Sequence, residues 1–476
     1  MFAKFEKYLH EKCQIESNQT IIVGVSGGPD SLALMALLVE AGQAMVVAHV
    51  NHQLRPTANA EEEGVIKLAK QLGIQCVSSR VEVKQFAQNK SLSLEEAARI
   101  LRYQFLFEEA EKHQAKAVAV AHTADDQVET FFLHLLRGTG SNGLRGMKTS
   151  TLPNTWSNKI SLVRPLLGFW RTEILEILTQ KGIQPFWDLS NWDNQFARNR
   201  IRNQLIPILE EYNPAIRKLI WQTCSVLDAD LELLDSLEQA AWQKVCTEEN
   251  TFEIFLDIGE LNNQPLSMQR RIVRRAWLTL TQYPDVVDFV HIDNVIAWIN
   301  RTTSGKLELD PSLRWFNDDK RAVLVKKGYE DSSSEFPQFK REGLIQLNPE
   351  SEIEIGNGWI IQTEVIENLS DSLWRKVLKS NPFEAWIDLD RCQLPLALRA
   401  FQEGDRFEPF RMSGAQVKLS DIFINRKIPQ RFRHHYPLVC DSQRIIWVPG
   451  YTIANSVQLS DQTQRIVHLT LKKFRI

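Results

Sequence analysis

The sequence predicts an α/β chain: a doubly wound parallel-sheet domain, then a mostly helical middle domain and a small basic α/β module at the carboxyl end. Two patterns predict the first domain. Residues 1–215 alternate short β-branched apolar runs, of the kind that a parallel sheet buries, with helix-like segments. A turn rich in glycine and serine follows the first run. In such a fold the ligand site lies at the carboxyl ends of the strands.

The alternating pattern predicts the strands and helices of the first domain in chain order. The predicted strands are 20–25, 44–50, 74–83 and 115–121, and the predicted helices are 31–41, 58–73, 93–113 and 125–136. Ser93 is expected to cap the third helix, with Glu96 completing a capping box.

The pattern changes after about residue 213. Leucines at three- and four-residue spacings predict a helix over 214–245, and two more are predicted at 268–280 and 286–300. A polar segment at 331–335 is a predicted linker, and short strands and turns follow from about 345. We therefore predict four segments: 1–215, 216–330, 331–395 and 396–476.

Composition argues against several classes of protein. The 476 residues are 43% hydrophobic and 24% charged, which is ordinary globular chemistry and excludes a disordered or collagen-like chain. No apolar run approaches the roughly 18 residues of a membrane span, and the first residues lack the apolar core of a signal peptide. The six cysteines are scattered without a CxxC pair, which argues against zinc, iron–sulfur and disulfide frameworks.

The net charge of −3 argues at first against a nucleic-acid binder. The sum conceals an uneven distribution. Residues 396–476 hold 13 Lys and Arg against 6 Asp and Glu, a net of +7, whereas the rest of the chain carries −10. A solvated basic surface and an RNA contact both produce this pattern, and the motifs described next favour RNA contact.

The turn after the first predicted strand reads Ser-Gly-Gly-Pro-Asp-Ser, residues 26–31. Gly27 and Gly28 allow main-chain N–H groups to approach an anion closely. Pro29 suits the first turn of a helix, and Ser31 adds a hydroxyl donor. An ordinary strand–helix turn needs only one glycine, so the pattern favours phosphate binding, although it is neither a Walker A loop nor G-x-G-x-x-G.

Two further motifs follow the second and fourth predicted strands, Asn-His-Gln-Leu-Arg at 51–55 and His-Thr-Ala-Asp-Asp-Gln-Val-Glu-Thr at 122–130. In the second motif Asp125 is expected to cap the helix. Asp126 and Glu129 share one helix face, where paired carboxylates suit a cationic amine or a metal. Acidic residues at a helix start also complement the helix dipole without any ligand, but the nearby phosphate loop favours a functional interpretation.

Arginines cluster in two later segments. Arg137 and Arg145 lie in a glycine-rich stretch, and Arg198, Arg200 and Arg202 follow one another at alternate positions. A charge run is usually a solvated helix face, whereas arginine forks also suit phosphate.

Taken in order, these motifs resemble the tRNA(Ile)-lysidine synthase family of the ATP pyrophosphatase superfamily. The matching segments in the first 210 residues are SGGPDS, NHQLR, EAARxLRY (96–103), HxxDDQxET, RGTGxxGLxGM (137–147), RPLL (164–167) and FARNRIR (196–202). Near the carboxyl end they are GDRFEP (404–409), KLSDIFINRKIP (418–429) and WVPG (447–450). The middle segment matches only in its general helical pattern. Thr123 stands where the family more commonly has a second histidine.

The resemblance implies a PP-loop ATPase domain, tRNA binding by the middle and carboxyl-terminal domains, and a ligase reaction. The family adenylates the wobble cytidine O2 of a CAU-anticodon tRNA(Ile) with ATP, and the ε-amine of free L-lysine then displaces AMP. The codon read changes from AUG to AUA. ATP, Mg²⁺, L-lysine and this tRNA are the implied cofactors and partners. The implied location is the cytoplasm with no membrane partner, and the oligomeric state, including a homodimer, stays open.

The resemblance also implies site residues. The nucleotide-binding set is Ser26, Gly27, Gly28, Pro29, Asp30, Ser31, His49, Asn51 and Arg55, with Asp30 as the Mg²⁺ ligand. The catalytic set is Asp30, His122, Asp126, Glu129, Arg102 and Arg198, in which Asp126 and Glu129 bind the amino groups of lysine. The tRNA-binding set is Arg137, Arg145, Arg200, Arg202, Arg406, Lys418, Arg426, Lys427, Arg431 and Arg433.

Three other functions are weighed against this one. The first is another adenylating tRNA-modifying enzyme of the superfamily, such as a tRNA thiolase, and the second is a non-catalytic tRNA-binding protein. The third, amidation of a free nucleotide, leaves the basic carboxyl-terminal segment unexplained. A thiolase would carry paired cysteines, which this sequence lacks. A degenerate fold would be expected to lose Asp30 or the Asp126/Glu129 pair, and all three are present.

Overall fold

The structure is a computed structural model that describes residues 1–186, 197–281, 287–301, 304–318, 320–329, 335–367, 381–412 and 414–474. The chain divides into two compact units, residues 1–235 and 236–476, and each is described by itself. Phe196 of the predicted arginine motif and most of the predicted linker, residues 331–334, lie outside the described residues.

The first unit is built on a six-stranded sheet with the order β3-β2-β1-β4-β6-β5. Its strands are β1 Ile21–Gly24, β2 Met45–Asn51, β3 Cys76–Arg80, β4 Ala117–Ala119, β5 Ser150–Thr151 and β6 Ser161–Val163. All neighbouring strands run parallel except the edge strand β5, which is antiparallel to β6. The doubly wound parallel sheet that the sequence predicts is therefore confirmed.

Helices cover both faces of this sheet. The helices between residues 2 and 245 are α1 Phe2–Lys7, α2 Pro29–Glu40, α3 Ala58–Gln71, α4 Val83–Lys90, α5 Leu94–Lys112, α6 Ala124–Arg137, α7 Ser141–Leu144, α8 Arg171–Gln180, α9 Ala197–Arg200, α10 Ile206–Tyr212 and α11 Ile216–Val245, with single π turns at Tyr8–Lys12 and Ile201–Leu205. The helix α2 begins at Pro29 and not at residue 31, because proline suits the first helical position.

The core of this unit follows from the alternation of side chains along the strands. Ile21 and Val23 of β1 lie in one buried cluster, together with Leu34 of α2, and Ile22 lies in a second cluster with Leu106 of α5. Because successive strand residues point to opposite faces, both faces of the sheet are packed. The carboxyl ends of the strands form the edge where the loops meet.

The second unit contains a short helix, α12 Ile258–Asn262, which was not predicted, and the helices α13 Leu266–Leu280 and α14 Phe289–Arg301, which lie close to the predicted 268–280 and 286–300. It also contains a five-stranded antiparallel sheet, which the sequence analysis did not predict. Its strands, in the order β7-β8-β11-β10-β9, are β7 Cys246–Glu249, β8 Glu253–Asp257, β9 Ser304–Asp310, β10 Leu313–Asp318 and β11 Arg321–Lys326.

The rest of this unit is made of two antiparallel sheets and a short ribbon. One sheet joins β12 Ile345–Gln346, β16 Ala397–Ala400, β19 Pro437–Cys440, β20 Ile445–Val448 and β21 Thr452–Ile453. The other joins β13 Ser351–Gly356, β14 Trp359–Glu367, β22 Arg465–Lys473 and β15 Glu384–Asp388. The ribbon pairs β17 Arg406–Phe407 with β18 Val417–Lys418, and short helices lie at Leu419–Asn425 and Gln430–Arg433. The predicted division at residue 395/396 therefore crosses both sheets.

No helix in the described part of the chain has the length and apolar character needed to span a membrane.

Arg431 corrects one of the residues that the resemblance implied for tRNA contact. Its side chain is fully buried, and it forms ion pairs with Asp318 at 3.0 Å and Glu253 at 3.4 Å. Three aromatic rings surround the guanidinium, with Phe432 closest at 4.3 Å. The residue therefore fastens the helix Gln430–Arg433 to strands β8 and β10, and it is not accessible to a phosphate.

Replacing Arg431 by Met should destabilise the protein by about 3–5 kcal/mol, because it leaves the carboxylates of Glu253 and Asp318 buried without their cation. Urea denaturation of the full chain, followed by tryptophan fluorescence, measures the change. Lys418→Met removes an exposed positive charge and should change the stability by less than about 0.5 kcal/mol. Equal stability losses for the two variants would contradict the structural role of Arg431.

Candidate active site

A cavity of about 420 Å³ opens at the carboxyl ends of β1, β2 and β4, the edge that the sequence predicts for a ligand. All three motifs of the sequence analysis reach it. The lining residues used below are Ser26, Gly28, Asp30, Ser31, His49, Asn51, His52, Arg55, Arg102, Tyr103, His122, Asp126 and Phe186. The parallel sheet thus brings together residues that lie up to 160 positions apart in the chain.

The loop between β1 and α2 is held in shape by its two serine hydroxyls. The Ser31 hydroxyl donates to the Gly28 carbonyl at 3.0 Å, accepts from the Ser26 backbone N–H and lies 3.2 Å from the Ser26 hydroxyl. Gly27 has a φ of +87°, a conformation that side-chain-bearing residues rarely adopt. The loop leads directly into the amino end of α2, the arrangement that suits an anion.

Phe186 packs over this loop and was not identified from the sequence. Its backbone N–H donates to the Gly27 carbonyl at 3.0 Å. Its ring lies against Gly64 of α3, where an added Cβ would stand 2.7 Å from two ring carbons. Gly64 therefore makes room for the aromatic ring at the cavity wall.

Asp30 lies at the start of α2 with one carboxylate oxygen, Oδ1, buried and without a hydrogen-bond partner among the described residues. Burial, and next to it the charge of Asp126, raises the pKa of Asp30 to about 6. A buried carboxylate in this state gains from a cation or a proton.

Other polar atoms around the cavity are also buried without a hydrogen-bond partner in the part of the chain that the structure describes. They are His52 Nδ1, Arg102 Nε, the Tyr103 hydroxyl and His122 Nδ1. Buried polar groups are normally hydrogen-bonded, so several unpaired atoms at one cavity indicate a site built for a polar ligand. This signal, rather than the volume of the cavity, identifies the site.

Two of the histidines that line the cavity, His52 and His122, have lowered pKa values and are neutral near pH 7. Burial, helped by the charge of Arg102, lowers the pKa of His52 to about 4. Burial lowers the pKa of His122 to about 3 against the opposing effect of Asp126. A neutral imidazole offers the ligand one donor and one acceptor nitrogen.

The carboxylate pair of α6 is bound by two arginines of the following segment. Glu129 is fully buried and accepts hydrogen bonds from Arg198 at 2.8 Å and from Arg202 at 2.5 and 3.0 Å. Arg198 also bonds to Asp126 at 3.0 Å. Burial alone raises the pKa of Asp126, but Arg198 and then His122 outweigh that effect and lower it. Arg202, a predicted tRNA contact, is instead a partner of the carboxylate pair in this structure.

The cap of α6 differs from the prediction. Thr123 is the N-cap, its hydroxyl accepts from the Asp126 N–H, and Asp126 in turn accepts from the Thr123 N–H at 2.8 Å. Asp125 instead accepts from the Arg171 N–H at 2.8 Å and pairs with Arg217 at 3.0 Å. The prediction that Asp125 caps this helix is therefore wrong, since threonine three residues before an aspartate completes the capping box first.

Two of the predicted nucleotide-binding residues on β2 are already engaged by the protein. His49 is buried, with Nδ1 2.8 Å from the Val25 carbonyl. Asn51 donates to Asn59 and Glu62, and its oxygen accepts from the Gln53 N–H. These hydrogen bonds fix the positions of the two side chains in the wall of the cavity.

Arg55, which completes the predicted nucleotide-binding set on this side of the cavity, is exposed at the rim and lies 3.8 Å from Glu61.

The predicted tRNA-binding residues of the first unit differ in exposure. Arg137 and Arg200 are exposed, whereas Arg145 is half-buried and lies 3.8 Å from both Asp228 and Asp235.

In the second unit, Arg406, Lys418, Arg426 and Lys427 are exposed. Arg406 and Lys418 stand directly opposite each other across the β17–β18 ribbon. Arg433 is half-buried and donates to the Ile428 carbonyl at 2.8 Å.

Comparison with known proteins assigns the chain to a family. Residues 1–209 match a PP-loop domain, and residues 396–470 match the TilS substrate C-terminal domain. A tRNA(Ile)-lysidine synthase of Dehalococcoides mccartyi is 29% identical over 98% of this chain and 98% of its own. One of Bacillus cereus is 32% identical over 94% of this chain and 91% of its own. The chain belongs to the tRNA(Ile)-lysidine synthase family.

Membership of the tRNA(Ile)-lysidine synthase family makes the chain an ATP-using, tRNA-modifying enzyme of PP-loop type and confirms the resemblance drawn from the motifs. Among solved structures, the crystal structure of the TilS C-terminal domain is 26% identical, with a TM-score of 0.25, over 28% of this chain and 98% of that one.

Two cavity residues other than Phe186 were missed as individual candidates. Tyr103 follows Arg102 inside the EAARxLRY motif, and His52 lies inside NHQLR. The motifs contain both residues, but only the structure shows that their buried polar atoms lie at the cavity.

Replacing Gly64 by Ala should weaken ATP binding and cost about 1–3 kcal/mol of stability, because the new methyl group forces the Phe186 ring off the phosphate loop. Titration calorimetry with a non-hydrolysable ATP analogue measures the affinity. Gly140→Ala is the matched control, since its Cβ would meet nothing within 4 Å. Phe186→Leu in the Gly64→Ala background should restore part of the loss, and unchanged affinity in Gly64→Ala would contradict the packing argument.

Proposed function

We propose that the chain ligates free L-lysine to the wobble cytidine of CAU-anticodon tRNA(Ile), forming lysidine and releasing AMP and pyrophosphate. The observation that carries the proposal is the carboxylate pair of α6 beside the phosphate loop in a chain of this family: Asp126 lines the same cavity as Ser26 and Ser31. Cytidine O2 takes the adenylyl group, and the lysine ε-amine then displaces AMP at the adjoining ring carbon. The proposed location is the cytoplasm.

Within this proposal the phosphate loop holds the triphosphate. Backbone N–H groups and hydroxyls of residues 26–31 face the anion, as the helix start favours. Arg102 is half-buried at the cavity, its buried Nε has no hydrogen-bond partner among the described residues, and it is proposed to stabilise negative charge on the reacting phosphate. Neutral His122 is suited to hydrogen-bond the α-phosphate region or the cytidine.

Asp30 is the residue proposed to hold Mg²⁺. Its unpaired buried oxygen and raised pKa fit a cation, and Mg²⁺ commonly takes one or two carboxylates together with substrate phosphates. When bound, Mg²⁺ neutralises phosphate charge and so favours departure of pyrophosphate.

Lysine brings a proton that must be lost before attack. Its free pKa is about 10.4, so roughly one amine in 2,500 is neutral at pH 7. A carboxylate attracts the charged amine and can also accept a proton, so one carboxylate of the pair is proposed to anchor the α-amine and the other to accept the proton.

Incubation with CAU-anticodon tRNA(Ile) transcript, ATP, Mg²⁺ and radiolabelled lysine should label the tRNA. Asp126→Asn and Glu129→Gln should lower lysine incorporation by about 10–100-fold, because each removes a charge-assisted hydrogen bond to the amine, while ATP binding survives. Glu63→Gln, at an exposed position of α3, is the control and should label normally. Absence of label with wild-type protein would refute the proposed function, and full labelling by both variants would refute the role of the pair.

Exposed basic residues of the second unit are proposed to bind the tRNA backbone. Arg406 and Lys418 oppose each other on the β17–β18 ribbon, and Arg426 and Lys427 follow the helix Leu419–Asn425. Their exposure leaves the charges available to phosphate, whereas the aromatic residues between them, Phe407 and Phe423, are buried core.

The double variant Arg406→Gln/Lys418→Gln should weaken tRNA binding and reduce the slope of log affinity against log salt by about 2, one for each phosphate that the protein no longer neutralises. Filter binding at several salt concentrations measures both quantities. Lys84→Gln/Lys90→Gln removes two exposed charges from α4 and serves as the control. An unchanged salt slope in the ribbon variant would remove these two residues from the tRNA surface.

A further inference from the structure

The lysine site of the proposed function is already filled by cations of the protein itself. Asp126 and Glu129 are the carboxylates proposed to bind lysine, yet Arg198 contacts both of them and Arg202 contacts Glu129 through two nitrogens. Two carboxylates and two guanidinium groups balance in charge. A lysine ammonium added to this group would leave an uncompensated positive charge at a buried place, which is costly.

The two arginines hold the carboxylates in different ways. Arg202 forms hydrogen bonds to both oxygens of Glu129, at 2.5 and 3.0 Å, and its distance to Asp126 is 3.6 Å. Arg198 bridges the pair, with 2.8 Å from its Nε to Glu129 and 3.0 Å from a terminal nitrogen to Asp126. The Arg198 side chain is 33% exposed and the Glu129 side chain is 0% exposed. The Arg202 side chain is 24% exposed, so Arg198 is the more exposed of the two arginines and the one that donates a hydrogen bond to Asp126 at the cavity.

We infer that Arg198 occupies the position of the lysine ammonium in the ligand-free protein and leaves this position when a nucleotide fills the cavity. The inference rests on the proposed function. Arg202 stays with Glu129 as a positioning residue. A triphosphate places negative charge beside Asp126, which lines the same cavity as the phosphate loop, and so offers Arg198 an alternative anion. Lysine then replaces Arg198 and charge balance is kept. ATP therefore binds before lysine.

Lysine titration of the full chain without tRNA tests this order. Isothermal titration calorimetry measures the affinity for L-lysine in the absence and presence of a non-hydrolysable ATP analogue with Mg²⁺. We expect lysine to bind on the order of tenfold more tightly with the nucleotide, within the usual range of coupling between two sites. Equal affinity in the two conditions would overturn the inference, and this comparison uses only the wild-type protein.

Variants separate the roles of the two arginines. Arg198→Gln should bind lysine on the order of tenfold more tightly without nucleotide and lose the nucleotide dependence, whereas Arg198→Lys keeps a cation and should retain it. Arg202→Gln should weaken lysine binding in both conditions, because Glu129 loses its anchor. Lys90→Gln, which removes an exposed positive charge from α4, should titrate like wild type. Weaker lysine binding by Arg198→Gln without nucleotide would overturn the exchange.

The outcome also distinguishes this inference from the proposed function. Lysine incorporation into tRNA with a lysine affinity that does not respond to nucleotide would overturn the exchange and leave lysidine formation standing. No lysine binding in either condition, together with no incorporation, would overturn both.

Discussion

Glu129 is a fully buried carboxylate, and burying a charge costs several kcal/mol unless a partner neutralises it. Arg198 and Arg202 supply that partner from the segment that follows residue 196, so the chain from Ala197 to Leu205 must lie against α6. The same two arginines approach Asp126, whose other oxygen completes the capping box with Thr123. One buried charge thus fixes the start of α6, the orientation of its carboxylate pair and the wall of the cavity.

Desolvation sets the chemistry of the cavity in the same way. It raises the pKa of Asp30 and lowers that of His52 and His122, so the cavity holds neutral imidazoles and a carboxylate that favours a cation. Polar atoms left without partners by the described residues face this space. Such a site is unfavourable when empty and gains when a polyanion with its metal supplies the missing interactions. Binding of a nucleotide removes the energetic cost of these unpaired groups, and this gain contributes to the affinity for the nucleotide.

The sequence predicted most of this site because the determinants are local. Each motif follows a strand, and a parallel sheet brings the carboxyl ends of its strands to one edge. The features that could not be predicted depend on contacts between residues that lie far apart in the sequence. Arg431 resembles Arg426 in the sequence, and only Glu253 and Asp318, 178 and 113 positions away, decide that it is buried. The five-stranded sheet of the second unit was not predicted because its strands are far apart in the chain: β7 and β8 follow α11, whereas β9, β10 and β11 follow α14.

The same distinction applies to charge as a guide to RNA binding. The net of +7 over residues 396–476 counts every arginine alike. Arg431 is neutralised by carboxylates that lie before this segment, and Arg399 forms a bidentate pair with Asp405 at 2.8 Å. A phosphate backbone responds to cations that it can reach, so the exposed subset on the ribbon and after the helix Leu419–Asn425 determines the attraction. Net charge locates the basic module, but burial decides which of its charges act on RNA and which hold the fold together.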